Sequence, residues 1–313
     1  MNPVTPETTK LGFIGIGYMG RPIAQRLLEA GFRLTAYDRN PGKAQELVPY
    51  GGTVADSIAA LSSTCDVVLS CLPTDEAVLK VHGGPQGTLA SAQQGSLIID
   101  LSTVDPRTSM ELSKLASERG VDVLDVTISG STPVAEQGAL VLFGGGDRGC
   151  FEASRAIFWA IARSYFYMGS NGSGAITKLV VNSLLGIGMQ AIAEALALGE
   201  RAGLNRNRLL EVLSHTTVVA PAHMGKLQKA TISDYSPQFP LRLMNKDFGL
   251  ILSLAAAVEA EMPATRAAFE INAAQSAQAR EQDFSAVILE MEKRARLSSG
   301  GNVGLRPDAV SAR

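Results

Sequence analysis

Residues 12–20 read Gly12-Phe13-Ile14-Gly15-Ile16-Gly17-Tyr18-Met19-Gly20, a G-x-G-x-x-G run that follows a short apolar stretch and opens a segment with apolar residues at helical spacing. In a strand-turn-helix setting Gly15 permits the tight turn, Gly17 leaves phosphates room to approach the backbone, and Gly20 lets the helix pack close to the strand. The N–H groups of the first helical turn then face the anion. That setting is present. Leu11 to Ile14 reads as a strand, Pro22 to Ala30 as a helix stopped by Gly31, and Phe32 to Tyr37 as a second strand. The second strand delivers Asp38 about 18 residues beyond Gly20, close to where an acid that binds a ribose diol belongs. The spacing predicts a bound dinucleotide, with Gly15, Gly17, Tyr18, Met19 and Gly20 around its pyrophosphate.

Further strand-like runs at Asp66 to Cys71, Ser96 to Leu101, Asp122 to Ile128, Ala139 to Phe143 and Ser164 to Met168 alternate with helix-like stretches. This predicts an α/β Rossmann-type domain with a mostly parallel sheet. In such sheets ligands bind beyond the carboxyl ends of the strands, which here are punctuated by Leu72-Pro73-Thr74, Ser102-Thr103 and Ser129-Gly130-Ser131. The β pattern stops after Met168, and Gly169 to Gly174 reads as flexible punctuation before a region that is helical almost throughout. With 313 residues the chain has room for two cores. The expected organisation is a flexible lead-in at 1–9, a dinucleotide-binding domain at 10–170, an all-α domain at 171–296 joined by a long interdomain helix, and a disordered tail at 297–313.

A formal charge of −2 without a Lys/Arg run provides no basic field for nucleic acid or for an anionic membrane surface. Cys65, Cys71 and Cys150, with His82, His215 and His223, show no metal-ligand spacing; reduced thiols in a cytoplasmic protein are the expectation. Ala175 to Leu198 carries only Lys178 and Glu194 as charges, yet Asn182 and Gln190 also interrupt it. A buried core helix fits this pattern better than a membrane span.

Lys178 and Asn182 are four apart and project from one helical face, one turn above the other. A lysine among apolar residues either snorkels to solvent or is held in a polar cavity for a purpose, and the pattern leaves both open. Lys246-Asp247, as adjacent opposite charges, reads first as a solvated helix face and otherwise as a functional pair. Ser129-Gly130-Ser131 is either an ordinary turn or a nest of N–H groups and hydroxyls for a carboxylate. Asp125 and Asp100 stand near strand ends; Asp100 is placed to hydrogen-bond the turn after it.

Together these segments resemble the β-hydroxyacid dehydrogenases over about residues 10 to 293. Gly12 to Gly20 resembles the cofactor motif, and Asp100-Leu101-Ser102-Thr103 the segment beside the nicotinamide. Asp125 to Gly146 resembles the substrate segment, Gly172 to Asn182 the catalytic segment, and Lys246-Asp247 a second cofactor-side motif. The resemblance implies hydride transfer between NAD(P) and a small β-hydroxy acid or its semialdehyde. Lys178 would be general acid/base, Asn182 would orient substrate, and Ser129, Gly130 and Ser131 would hold its carboxylate. Leu72, Pro73 and Thr103 would border the nicotinamide, Lys246 would contact the cofactor, and Asp247 would serve the substrate site as a partner of Lys178. It also implies a homodimer or homotetramer. The chain departs from the family turn: Val126-Thr127 replaces Ala-Pro, and Ser131 replaces a second glycine. Asp38 favours NAD by accepting from the ribose diol, whereas Arg39 and Lys43 leave NADP open. Two other readings are an imine reductase-like enzyme, which Lys178 disfavours, and a non-catalytic dinucleotide-binding module.

Overall fold

The structure is a computed structural model and describes residues 2–295. The chain forms two compact units, the first ending at Leu179 and the second beginning at Val180, so the change of unit falls within the 29-residue helix Ser173–Arg201.

The first unit is built on eight strands: β1 Lys10–Ile14, β2 Arg33–Tyr37, β3 Thr53–Val54, β4 Val67–Ser70, β5 Leu97–Asp100, β6 Asp122–Ser129, β7 Leu140–Gly146 and β8 Ala162–Gly169. Their order, β3-β2-β1-β4-β5-β6-β7-β8, is the doubly wound arrangement, whose direction reverses between β1 and β4. Pairings from β3 through β6 are parallel, β7 runs antiparallel to β6, and β8 is parallel to β7. Seven of the eight strands coincide with the runs read from the sequence; the two-residue β3 is too short to leave an apolar pattern. β4 and β5 are buried at every position, as strands covered on both faces must be.

The helix Gly20–Glu29 buries Gly20, Pro22, Ile23, Ala24 and Leu27, one face at helical spacing. Pro22 lies in the first turn, where a missing N–H costs no intrahelical bond. Gly31 adopts φ +88 and closes the helix by donating to the carbonyl of Leu28. This face belongs to one core with Phe13, Leu69, Ile99, Leu124, Phe151 and Phe158. Burial of each such side chain stabilises the fold by about 1.5–3 kcal/mol.

Two segments read as flexible are tied down. Within residues 1–9, Val4 is buried and its N–H donates to the carbonyl of Ala153. In the glycine-rich stretch after β8, Asn171 donates to the carbonyl of Val123, and the N–H of Gly172 donates to Asp125. The composition suggested freedom, but a buried carboxylate supplies the anchor. The segment 297–313 lies outside the described residues.

The second unit is helical: Arg206–Ser214, Pro221–Thr231, Leu241–Ala257, Pro263–Ala273, Ala277–Glu281 and Val287–Arg294 follow the long helix. Asp283 is its polar hub. Oδ2 accepts from Lys226 Nζ at 2.7 Å and from the N–H groups of Gln238 and Phe239, while Oδ1 accepts from Ser285. By length and composition Ser173–Arg201 is sufficient to cross a membrane, yet half of its most apolar window is buried inside the protein.

Candidate active site

Because β1, β2, β4, β5 and β6 run parallel, their carboxyl ends share one end of the sheet, and the candidate residues of the first unit gather there. Gly15 has φ +96, and its N–H donates to the carbonyl of Tyr37 at 3.0 Å. A Cβ on Gly15 would collide with the carbonyl oxygen of Cys71, and one on Gly20 with that of Gly15. A Cβ on Gly17 would meet nothing within 4 Å. The loop is thus tight where the chain turns and open where a pyrophosphate would approach, which fits a dinucleotide. Tyr18 is exposed beside it, and Met19 Sδ receives the Thr132 hydroxyl at 3.8 Å, joining the glycine loop to the turn after β6. Thr132 carried no signal in the sequence because its partner is 113 residues away.

Asp38 already has protein partners. Oδ2 accepts from the N–H of Ile16 at 2.9 Å and Oδ1 from that of Asn40 at 2.8 Å, so the carboxylate fastens the end of β2 to the glycine loop. A carboxylate offers about four acceptor sites, which leaves capacity for a ribose diol. Arg39, next in the chain, is exposed.

At the ends of β4 and β5 the N–H of Leu72 donates to Ser102 Oγ at 2.9 Å, and that hydroxyl donates to Asp100 Oδ1 at 2.6 Å. Asp100 therefore bonds the turn after it, as its position suggested, and it also links that turn to the one bearing Leu72 and Pro73. Thr103 follows, half-buried. Behind them lies His82, fully buried and within 2.9 Å of Ser70 Oγ. In the sequence His82 stands only as an isolated histidine without metal-ligand spacing, and no periodic or motif context marks its place in this network.

Ser129 ends β6, Gly130 takes φ +144, and Ser131 precedes the short helix Thr132–Glu136, its carbonyl accepting from Val134 and Ala135 at 3.0 Å each. Where the family has Ala-Pro, Val126 enters the core and Thr127 donates its hydroxyl to the carbonyl of Gly174 at 2.8 Å. Asp125 accepts from Gly172 and Ala175 at 2.9 and 3.0 Å. Burial pushes its pKa up, and the N–H groups of the helix terminus pull against that shift. β6 thereby grips the first turn of the helix that carries Lys178. Lys178 itself is buried, at 9% exposure.

In the second unit Asn182, one turn beyond Lys178 on the same helix, is 2% exposed and donates from Nδ2 to Asp247 Oδ2 at 2.7 Å. Lys246 Nζ lies 3.2 Å from Asp247 Oδ1, and the Asp247 side chain is only 2% exposed. Lys246-Asp247 is consequently no solvated helix face. Asn182 Oδ1 is buried without a hydrogen-bond partner, an orphan acceptor of the kind that a ligand donor satisfies.

The doubly wound sheet and its open glycine loop define a dinucleotide-binding enzyme fold. Residues 10–169 match the family described as the NAD binding domain of 6-phosphogluconate dehydrogenase, and residues 172–291 that described as NAD-binding of NADP-dependent 3-hydroxyisobutyrate dehydrogenase. The chain is 36% identical to glyoxylate/succinic semialdehyde reductase 2 of Arabidopsis thaliana, over 90% of this chain and 79% of that one. It is 35% identical to 3-hydroxyisobutyrate dehydrogenase of Pseudomonas aeruginosa, over 89% and 97%. The solved structure of 3-hydroxyisobutyrate dehydrogenase from Mycobacterium tuberculosis with L-serine superposes with a TM-score of 0.79 at 31% identity, covering 90% of this chain and 98% of that one. The chain belongs to the β-hydroxyacid dehydrogenase family, and it is an NAD(P)-dependent oxidoreductase.

Proposed function

We propose that this enzyme interconverts a small β-hydroxy acid and its semialdehyde, with Lys178 as the general acid/base. The observation that carries the reading is a buried lysine one helical turn from a buried asparagine whose carbonyl oxygen lacks a partner. When bound, the nicotinamide supplies or accepts the hydride. The residues do the rest. Lys178 donates a proton to the substrate oxygen as negative charge develops there in reduction, and takes it back in oxidation. Asn182 orients the substrate, its amide fixed by Asp247. Ser129, Gly130 and Ser131 hold the carboxylate, the extra hydroxyl of Ser131 favouring a substrate with a further polar group. Gly15, Gly17, Tyr18, Met19 and Gly20 hold the pyrophosphate, Leu72, Pro73 and Thr103 border the nicotinamide, and Lys246 adds a cation for the cofactor. Asp38 selects NAD over NADP. The enzyme works in the cytoplasm as a homodimer or homotetramer.

The test is turnover of wild type and Lys178→Ala on a panel of glyoxylate and small semialdehydes with NADH and NADPH. Lys178→Ala should lose roughly 10²–10⁴-fold in kcat while binding cofactor normally, the usual contribution of a positioned acid/base. Retention of most of the turnover would refute the role, and turnover of cyclic imines in place of carbonyl acids would favour the imine reductase reading.

A further inference from the structure

Five polar side chains lie in line behind the turns after β4 and β5. Ser70 and Asp100 are register partners at the ends of β4 and β5. His82 comes from the helix Asp75–Gly83, Thr88 opens the helix Thr88–Ser91, and Ser102 lies in the turn after β5. All are buried, His82, Ser70 and Thr88 completely. Despite its Ser, His and Asp, the cluster is no nucleophile site, since no substrate reaches Ser70.

The direction of each hydrogen bond can be worked out from one fixed end. The N–H of Leu72 can only donate, so Ser102 Oγ is the acceptor at 2.9 Å. The single hydroxyl proton of Ser102 goes to Asp100 Oδ1 at 2.6 Å, and Ser70 donates to the same oxygen at 2.7 Å. Ser70 Oγ then has only lone pairs to offer His82 Nε2 at 2.9 Å, so Nε2 carries the hydrogen. A ring without solvent contact and with no anion in direct contact stays neutral. Its Nδ1 is therefore bare and accepts the Thr88 hydroxyl at 3.1 Å. Burial agrees with the neutral ring, pushing His82 down to about 3; it also pushes Asp100 up to about 6, and the two serine hydroxyls work against that shift by favouring the ionised form.

We propose that His82 is a positioning residue for the cofactor: as a neutral Nε2–H imidazole it anchors one arm of a hydrogen-bond chain that converges on Asp100, through Ser70 from its side and through Ser102 from Leu72, and so supports the backbone at Leu72. The imidazole fastens two helices to the sheet at the point where the two turns emerge. Without it Ser70 loses its donor, Thr88 keeps only the more distant carbonyl of Val81 at 3.4 Å, and the Leu72-Pro73 and Ser102-Thr103 turns lose a common support. The inference rests on the reading that these turns border the nicotinamide.

Two measurements test it. The chain has three histidines, so ¹⁵N-histidine labelling resolves His82 by its loss in His82→Gln. The expected signature is a neutral ring with an exchange-protected Nε2–H that does not titrate between about pH 5 and 8. The Nδ1–H tautomer, or titration in that range, would overturn the assignment. For function, His82→Leu should weaken NAD(P)H binding about tenfold, the fold-change of one lost hydrogen bond, with kcat at saturating cofactor within about twofold. His82→Gln, which keeps a donor and an acceptor, should recover most of the affinity. Thr103→Ala is the control for the underlying reading. If Thr103→Ala weakens cofactor binding and folded His82→Leu does not, the role of His82 is refuted alone. If neither weakens it, the placing of the turns falls as well.

Discussion

Two buried carboxylates in the helical unit, Asp283 and Asp247, each sit beside a lysine, and they are furnished very differently. Asp283 takes Lys226 Nζ at 2.7 Å, the N–H groups of Gln238 and Phe239, and the N–H and hydroxyl of Ser285. Lys226 in turn bonds Gln238 and lies over the ring of Phe284. Asp247 takes one amide hydrogen from Asn182 and an ion pair with Lys246, and Asn182 keeps a buried oxygen without a partner. The first pair is complete within the protein. Beside the second, Asn182 Oδ1 is left open, and burying an open polar group costs free energy unless something else completes it. The saturated hub fits a purely architectural role, and the open acceptor beside Asp247 fits the proposed substrate site.

Variants can break this contrast. The largest expected effect is on stability: Asp283→Ala strands the Lys226 ammonium in the interior and should cost about 3–5 kcal/mol. Chemical denaturation measures it; a loss below about 1 kcal/mol would remove Asp283 from its structural role. Asp247→Ala should lower kcat/KM about 10²-fold, or about 2.7 kcal/mol, with a smaller loss of stability than Asp283→Ala. Steady-state kinetics on folded protein decide this, and equal damage to both properties would erase the contrast.

In the first unit, titration separates the partners of a single network. His82 has a folded pKa near 3 against an ordinary 6.5, so the stability it contributes in its neutral form is present above pH 6.5 and is lost as pH falls towards 3. Asp100, raised from 3.8 to about 6, works the other way: its protonated form is favoured in the fold, and its contribution declines as pH rises from about 4 to 6. The stability gap between wild type and His82→Gln should therefore narrow as pH is lowered from 6.5 to about 5, by roughly 2 kcal/mol at 1.36 per unit. Thermal melts across that range measure the gap, and a constant gap would mean that the ring is not held neutral. The smallest effect belongs to the cofactor. Asp38→Ala should improve the NADP/NAD preference only several-fold, about 1 kcal/mol, because the carboxylate also secures Ile16 and Asn40. An unchanged preference would leave selection to Arg39 and Lys43.

The glycine loop was legible because its constraints are local: a positive φ at Gly15, open space at Gly17 and close packing at Gly20 are requirements on single residues. The seven longer strands were legible from apolar runs, but such runs carry no direction, and the antiparallel β7 had to come from the structure. Lys178 with Asn182 was visible as one helical face, though not the burial that makes it costly. The network around His82 was invisible for a physical reason: its partners are 6 and 12 residues away and lead to Asp100 30 residues from Ser70, a separation that no periodicity encodes. The same holds for Asp283, whose lysine lies 57 residues upstream. Gly169 to Gly174 looked free because composition reports backbone permissiveness and not the anchoring by Asp125.

On the proposed mechanism, Lys178 moves the proton that accompanies the redox step. Chemical rescue addresses it most directly, by following aldehyde reduction in Lys178→Ala with added primary amines of graded size and basicity. If Lys178 is the proton donor, the variant's depressed rate rises with the concentration of small alkylammonium ions and follows their acidity, at unchanged cofactor affinity. A variant that turns over like wild type without amine, or stays equally inactive at every amine concentration while binding cofactor and substrate normally, would contradict it.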